Sequence, residues 1–114
     1  MPGCLFCSIV SGDIEATVVR TGERTIAIQD INPQAPVHVL IMPREHIESV
    51  AGLTPAHADL LVEIVQMAQW IASAEGVAES GYRLVANTGR DGGQTVAHLH
   101  VHLLGGRPMT WPPG

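Results

Sequence analysis

Histidine alternates with an aliphatic residue through His98-Leu99-His100-Val101-His102-Leu103-Leu104. That is the period of a half-buried β-strand, so the three imidazoles project from one face while Leu99, Val101 and Leu103 anchor the other in a core. Imidazoles held side by side on a rigid strand suit metal binding, or nucleophilic and general-base chemistry near neutral pH. The plainer reading is a polar strand face that happens to be rich in histidine. Against it, three of the six histidines fall within five residues. A second constellation is Cys4-Leu5-Phe6-Cys7. A CxxC pair can be a redox dithiol, two structural thiols or half of a zinc site. The redox reading is the poorest, because no βαβ pattern surrounds the pair.

These residues must be positioned by the elements around them. Leu5 to Val10 reads as a short helix ending at Ser11-Gly12. Thr17–Arg20 and Thr25–Gln29 read as strands joined by a turn at Gly22 and Glu23. Two prolines stiffen the loop Asp30–Pro36; Val37–Met42 is β-branched and aliphatic, and Pro43 stops it. A long helix is predicted from Pro55 to Glu75, with Thr54 as N-cap and Gly76 as its stop. Its Leu60, Leu61, Ile64, Val65, Ala68, Ile71 and Ala72 recur at helical spacing and should face a sheet. His57 reads as a surface residue, and Met67 and Trp70 as packing or dimer residues. Tyr82–Asn87 is a further strand, Thr88–Thr95 a flexible polar loop, and Gly105–Gly114 an irregular tail whose Trp111 should dock on something. The expectation is an α+β fold: about five antiparallel strands with one long and one short helix.

Composition narrows the function. The 114 residues, 46% of them hydrophobic, allow one domain with a real core and argue against disorder. A net charge of −5, with six arginines and no lysine, is unfavourable for long nucleic acids, which select basic surfaces. It also excludes a phosphate-loop lysine or a Schiff base. A small anion remains bindable by imidazoles, amides and backbone N–H groups. No apolar run approaches a membrane span, and Met1-Pro2-Gly3 lacks the charged start of a signal peptide. A cytoplasmic protein with reduced thiols is therefore expected.

The pattern His-φ-His-φ-His-φ-φ (φ, apolar) resembles the histidine triad (HIT) superfamily, specifically its Hint branch of nucleotide-binding hydrolases. Supporting segments occur in the family's order: Asp30-Ile31-Asn32-Pro33-Gln34-Ala35-Pro36-Val37-His38, Gly92-Gly93-Gln94-Thr95, Leu104-Gly105-Gly106-Arg107 and Trp111-Pro112-Pro113-Gly114. The resemblance covers nearly the whole chain and implies a single HIT domain over 1–114 with 105–114 as a C-terminal tail. Gly105-Gly106-Arg107 stands where Fhit-like hydrolases typically carry Pro-Arg, and His102 where the uridylyltransferases carry glutamine.

The resemblance implies that His100 attacks the α-phosphorus of a purine nucleoside phosphoramidate, leaving a nucleotidyl-histidine that water hydrolyses. An imidazole suits this, being both a good nucleophile at pH 7 and a reasonable leaving group from phosphorus. His38 would support the nucleophile, and His102 would stabilise charge on the phosphate. Asn87, Gln94 and Thr95 match phosphate-contacting positions, with threonine where relatives often have serine; without the resemblance Asn87 would read as a strand-end turn residue. Asp30 would accept from the ribose hydroxyls, with Leu5, Phe6, Ile9, Ile28, Gln29 and Ile31 around the base. In zinc-carrying relatives the ligands resemble Cys4, Cys7, His46 and His98, a structural site that would also place His98 beside the catalytic ring. The family further implies a two-fold homodimer in which the tail, with Trp111, reaches the neighbouring site. The expected ligand is AMP, GMP or a phosphoramidate such as lysine-linked AMP. The same residues leave open a dinucleoside polyphosphate hydrolase or a nucleotide-binding adaptor with little turnover.

Overall fold

A computed structural model describes residues 3–114; Met1 and Pro2, where the reading against a signal peptide begins, lie outside the described residues. Five strands form one antiparallel sheet: β1 (Val18–Thr21), β2 (Thr25–Gln29), β3 (Val37–Pro43), β4 (Tyr82–Val85) and β5 (Val101–Gly105). Their order across the sheet is β1-β2-β3-β5-β4. The crossover from β3 to β4 carries the long helix α2 (Ala58–Ala74), while α1 (Leu5–Ser11) precedes the first strand. The sheet and the long helix follow the sequence expectation, and a third short helix, α3 (Gly89–Gly92), is additional.

The two faces of the sheet have different cores. On one, Leu60, Ile64, Met67, Ala68 and Ile71 of α2 pack against Ala27, Val39, Ile41, Leu99 and Leu103. On the other, Phe6 of α1 packs with Ile26, Ile28, Leu40 and Met42. Period-2 alternation in β2 and β3 divides their side chains between these cores. Within α2, Leu61 and Val65 are exposed and Met67 is buried, so the apolar stripe is rotated from the predicted one. Trp70 stacks beneath Arg20, whose guanidinium carbon lies 3.7 Å from the ring centroid.

Local signals set the element ends. The Cys4 thiol caps α1, accepting from the Cys7 N–H, and Gly12 closes that helix at φ 88°, a left-handed conformation that glycine adopts without strain. Pro55–His57 is a 3₁₀ turn rather than the first turn of α2, and His57 completes a capping box with Thr54. The ring Nδ1 accepts from the Thr54 N–H at 2.9 Å, so His57 is a cap and not a bare surface residue. β4 ends at Val85, short of Asn87. Among the described residues, no helix is long and apolar enough to cross a membrane.

Candidate active site and metal centre

The ladder between β3 and β5 begins only at Ile41 and Val101, so His98 and His100 precede the regular strand predicted to include them. Continuing the register would set Pro43, which has no N–H, opposite Leu99. The Leu99 N–H instead donates to the Ile47 carbonyl at 2.6 Å. Alternation nevertheless persists. Leu99 and Leu103 lie in the core beneath α2, and the three imidazoles line up on the α1 side. Phe6 packs edge-on against two of them, with ring centroids 4.9 Å from His100 and 5.9 Å from His98.

At one end of the row, Cys4, Cys7, His46 and His98 bring four ligand atoms within 4.8 Å of one another. The Cys4 Sγ and Cys7 Sγ atoms lie 3.4 and 3.5 Å from His98 Nδ1, and Cys7 Sγ lies 3.2 Å from His46 Nδ1. Tetrahedral zinc, with Zn–S about 2.3 Å and Zn–N about 2.0 Å, requires N···S edges of about 3.5 Å. The buried His98 ring donates its Nε2–H to the Pro43 carbonyl at 2.8 Å, leaving the Nδ1 lone pair to face the thiols. Such a second bond is how a ligating imidazole is normally oriented. Burial raises the Cys7 thiol above its ordinary range, and the Cys4 thiol adds to that; a bound dication would reverse the effect. The cluster fits a structural zinc ion.

At the other end, Asp30, His38 and His102 also converge, but not as a metal site. The Gln34 N–H donates to His38 Nδ1 at 3.0 Å, so the neutral ring carries its proton on Nε2. That Nε2–H faces His102 Nδ1 at 2.9 Å and Asp30 Oδ2 at 3.3 Å. A cation at Nε2 would force the proton onto Nδ1, against the Gln34 N–H. The group is therefore a hydrogen-bonded relay, which leaves His102 with its proton on Nε2. Burial lowers the His38 pKa, opposed by the Asp30 carboxylate. Burial likewise lowers that of His102, reinforced by His100 and His38. Both shifts favour the neutral rings.

His100 lies between the two groups. Its Nδ1 lies 2.7 Å from the His98 carbonyl, which can only accept, so Nδ1 carries the proton and the neutral ring leaves Nε2 free. The side chain borders a cavity of about 350 Å³ together with His102. Leu5, Phe6, Ile9, Ile28, Gln29, Asp30, Ile31 and Thr95 also line it, which brings together most of the residues singled out in the sequence. Ile31 is fully exposed in the free chain and forms a rim rather than a wall. Ile14, Glu15, Ala16, Leu40 and Val96 complete the lining. Sequence reasoning missed Ile14, Glu15 and Ala16 because the loop after α1 carries no periodic signal, while Leu40 reads as ordinary strand core and Val96 as part of the approach to the histidine row.

Other predicted residues lie elsewhere. His38 makes no hydrogen bond to His100; its ring partner is His102, so any support of the nucleophile is indirect. The Gln94 amide is spent on the backbone. Its Nε2 donates to the Glu48 and Val96 carbonyls at 2.6 and 2.9 Å, and its Oε1 accepts from the Gly89 N–H at 3.0 Å. It pins the loop rather than facing the cavity. Asn87 lies two residues beyond β4, and the 83% exposed Trp111 is in the tail; neither borders the cavity.

The family pattern for the HIT domain matches residues 11–109. A 14 kDa zinc-binding protein of Zea mays is 46% identical over 113 residues, covering 96% of this chain and 87% of that protein. A purine nucleoside phosphoramidase of Escherichia coli (strain K12) is 44% identical over 105 residues, covering 92% and 88%. The crystal structure of a HIT family hydrolase from Legionella pneumophila Philadelphia 1 superposes with a TM-score of 0.96 at 51% identity, covering 98% of this chain and all of that one.

Proposed function

The chain belongs to the HIT domain family, and from that premise we propose that it is a nucleotide-binding hydrolase cleaving the P–N bond of purine nucleoside 5′-phosphoramidates. One observation carries the reading: His100 gives its Nδ1–H to a backbone carbonyl and so keeps an unprotonated Nε2 at the cavity. That nitrogen attacks the α-phosphorus; a P–N bond to His100 forms as the bond to the substrate amine breaks. The amine leaves with a proton taken from solvent, and water then attacks phosphorus, giving up a proton to solvent, to release the nucleoside monophosphate and restore the ring. The His102 Nε2–H is the donor to the phosphoryl oxygens, where charge grows in the transition state. Its Nδ1 is held by the neutral His38.

The apolar wall of Phe6, Ile9, Ile28 and Leu40 receives the base, and Asp30 accepts from the ribose. Thr95, in the cavity lining, faces the phosphate and its leaving group. Zinc bound by Cys4, Cys7, His46 and His98 would cross-link the start of α1 to the segment before β5 that carries His100. The whole chain is read as one HIT domain, residues 105–114 being its tail. A homodimer is supported by exposed Leu61 and Val65 on α2 and Leu84 on the edge strand β4.

Steady-state hydrolysis of lysine-linked AMP, set beside a dinucleoside polyphosphate, tests the proposal. The phosphoramidate should be cleaved with the higher kcat/KM, and His100→Ala should lower its turnover by about 10³-fold or more. Preference for the polyphosphate would replace the substrate class. Nucleotide binding without turnover would favour an adaptor.

A further inference from the structure

Arg107 follows β5 in a segment whose sequence resemblance is clear but whose role is unexplained. The chain crosses the loop between β2 and β3 immediately after leaving the sheet. Gly106 has φ 89°, and a Cβ there would meet the Pro36 ring at 2.9 Å, so only glycine allows this approach. The crossing delivers Arg107 to the same loop, where its Nε–H donates to the Gln34 carbonyl at 3.0 Å and its Nη1 group to the Pro108 carbonyl at 3.1 Å.

The other backbone group of Gln34 is the N–H that donates to His38 Nδ1 at 3.0 Å, and His38 Nε2 lies 2.9 Å from His102 Nδ1. We propose that Arg107 is a positioning residue: by anchoring Gln34 it fixes the tautomer of His38 and, through it, aims the His102 Nε2–H at the cavity. The proposal rests on the catalytic reading of His102 given above.

The physical case is one of conformational selection within a loop. The Asp30 N–H donates to the His38 carbonyl at 3.0 Å and fastens the start of the loop to β3. Apart from that bond, Asp30–Pro36 is held by two short-range ones, the Asn32 N–H to Asp30 Oδ1 at 2.8 Å and the Gln34 side-chain amide to the Asn32 carbonyl at 2.9 Å. Neither restrains the Gln34 peptide relative to the sheet. The guanidinium bond from Arg107, two residues beyond the strand that carries His102, does, because it ties the loop to the end of a rigid element. Released from Arg107, the Gln34 N–H would sample other directions. Only the Asp30 carboxylate, 3.3 Å from Nε2, would then favour a proton there, and the preference between the two nitrogens of His38 would weaken, since in a neutral imidazole the partners at the nitrogens decide where the proton sits. A fraction of His38 would present a lone pair to His102 Nδ1, and that fraction would turn the His102 proton away from the phosphate.

The test uses zinc-loaded protein labelled with ¹⁵N at histidine, without substrate, together with steady-state turnover of lysine-linked AMP. In the wild type, His38 and His102 should each show a protonated Nε2 and an accepting Nδ1. In Arg107→Gln the two His38 nitrogen shifts should move towards each other. kcat should fall about tenfold with KM changed less than about twofold, because substrate contacts are intact and only alignment is lost. Arg107→Lys, whose ammonium can still reach the Gln34 carbonyl, should recover part of both effects. Unchanged histidine shifts in Arg107→Gln overturn the proposal, as does a tautomer change that leaves kcat intact. The shifts are read without substrate, so a wild type inert towards lysine-linked AMP would sink the functional reading while the linkage was still decided.

Discussion

His98 and His102 stand four residues apart on one face of one segment, yet they are prepared for different work. His98 gives its Nε2–H to the Pro43 carbonyl and turns Nδ1 to the two thiols. His102 accepts at Nδ1 from His38 and keeps Nε2–H for the cavity. Neither ring differs chemically from the other. What differs is the partner at the second nitrogen, a fixed carbonyl in one case and a neutral imidazole in the other, and that partner decides whether the ring can be a ligand or a donor. His100, between them, is set by the carbonyl of His98 itself, so the residue placed to hold zinc also orients the proposed nucleophile.

The sharpest way to break this contrast is to damage each end separately. His102→Ala should lower turnover by about 10²-fold, the usual cost of removing a donor to developing charge, while zinc content and melting temperature stay near wild type. His46→Ala should do the reverse. With one of four ligands gone, zinc is lost and stability should fall by about 3 kcal/mol, or about 10 °C in melting temperature. Turnover measured well below that temperature should fall much less than in His102→Ala. Zinc analysis, thermal denaturation and kcat on the two variants check this. Equal losses of activity and stability in both would show one coupled site rather than two.

Acid should expose a smaller difference. His38 and His102 have folded-state pKa values below the ordinary 6.5. As pH falls below about 6.5 the unfolded chain takes up protons that the folded rings refuse. The stability they contribute is therefore present above that pH and is lost as pH falls towards their folded values. The zinc ligands also take up protons in acid, so the informative quantity is the difference between wild type and His102→Gln. Urea midpoints between pH 5 and 7.5 should fall less steeply in the variant. Parallel curves would mean that His102 is not held neutral.

Residue by residue, legibility in the sequence followed periodicity. The histidine row is readable because alternation assigns faces even where, as at His98 and His100, the ladder has stopped. The strand start was misjudged because what ends the pairing is Pro43, on a different strand. The metal set was only half legible: Cys4 and Cys7 announce a pair, but His46 lies 39 residues from Cys7, and only the fold, or a resemblance that already contains it, joins them. The four-residue helix at Gly89–Gly92 was invisible in a glycine-rich stretch, and with it the reason Gln94 turns inward to the backbone. His57 was missed as a cap because the third residue of a capping box is usually Glu or Gln. Helix α2 was readable in extent, but not in which flank of its stripe, Met67 or Leu61, meets the sheet.

The central claim is that the free Nε2 of His100 attacks phosphorus, and trapping the bond it forms tests this most directly. Lysine-linked AMP would be mixed with excess enzyme, quenched in base within a single turnover and digested for mass spectrometry. The account predicts an adenylyl group on the peptide carrying His100, located on that histidine and absent from His100→Ala. An adenylyl group on another residue, or a His100→Ala protein that turns over at the wild-type rate, would contradict it.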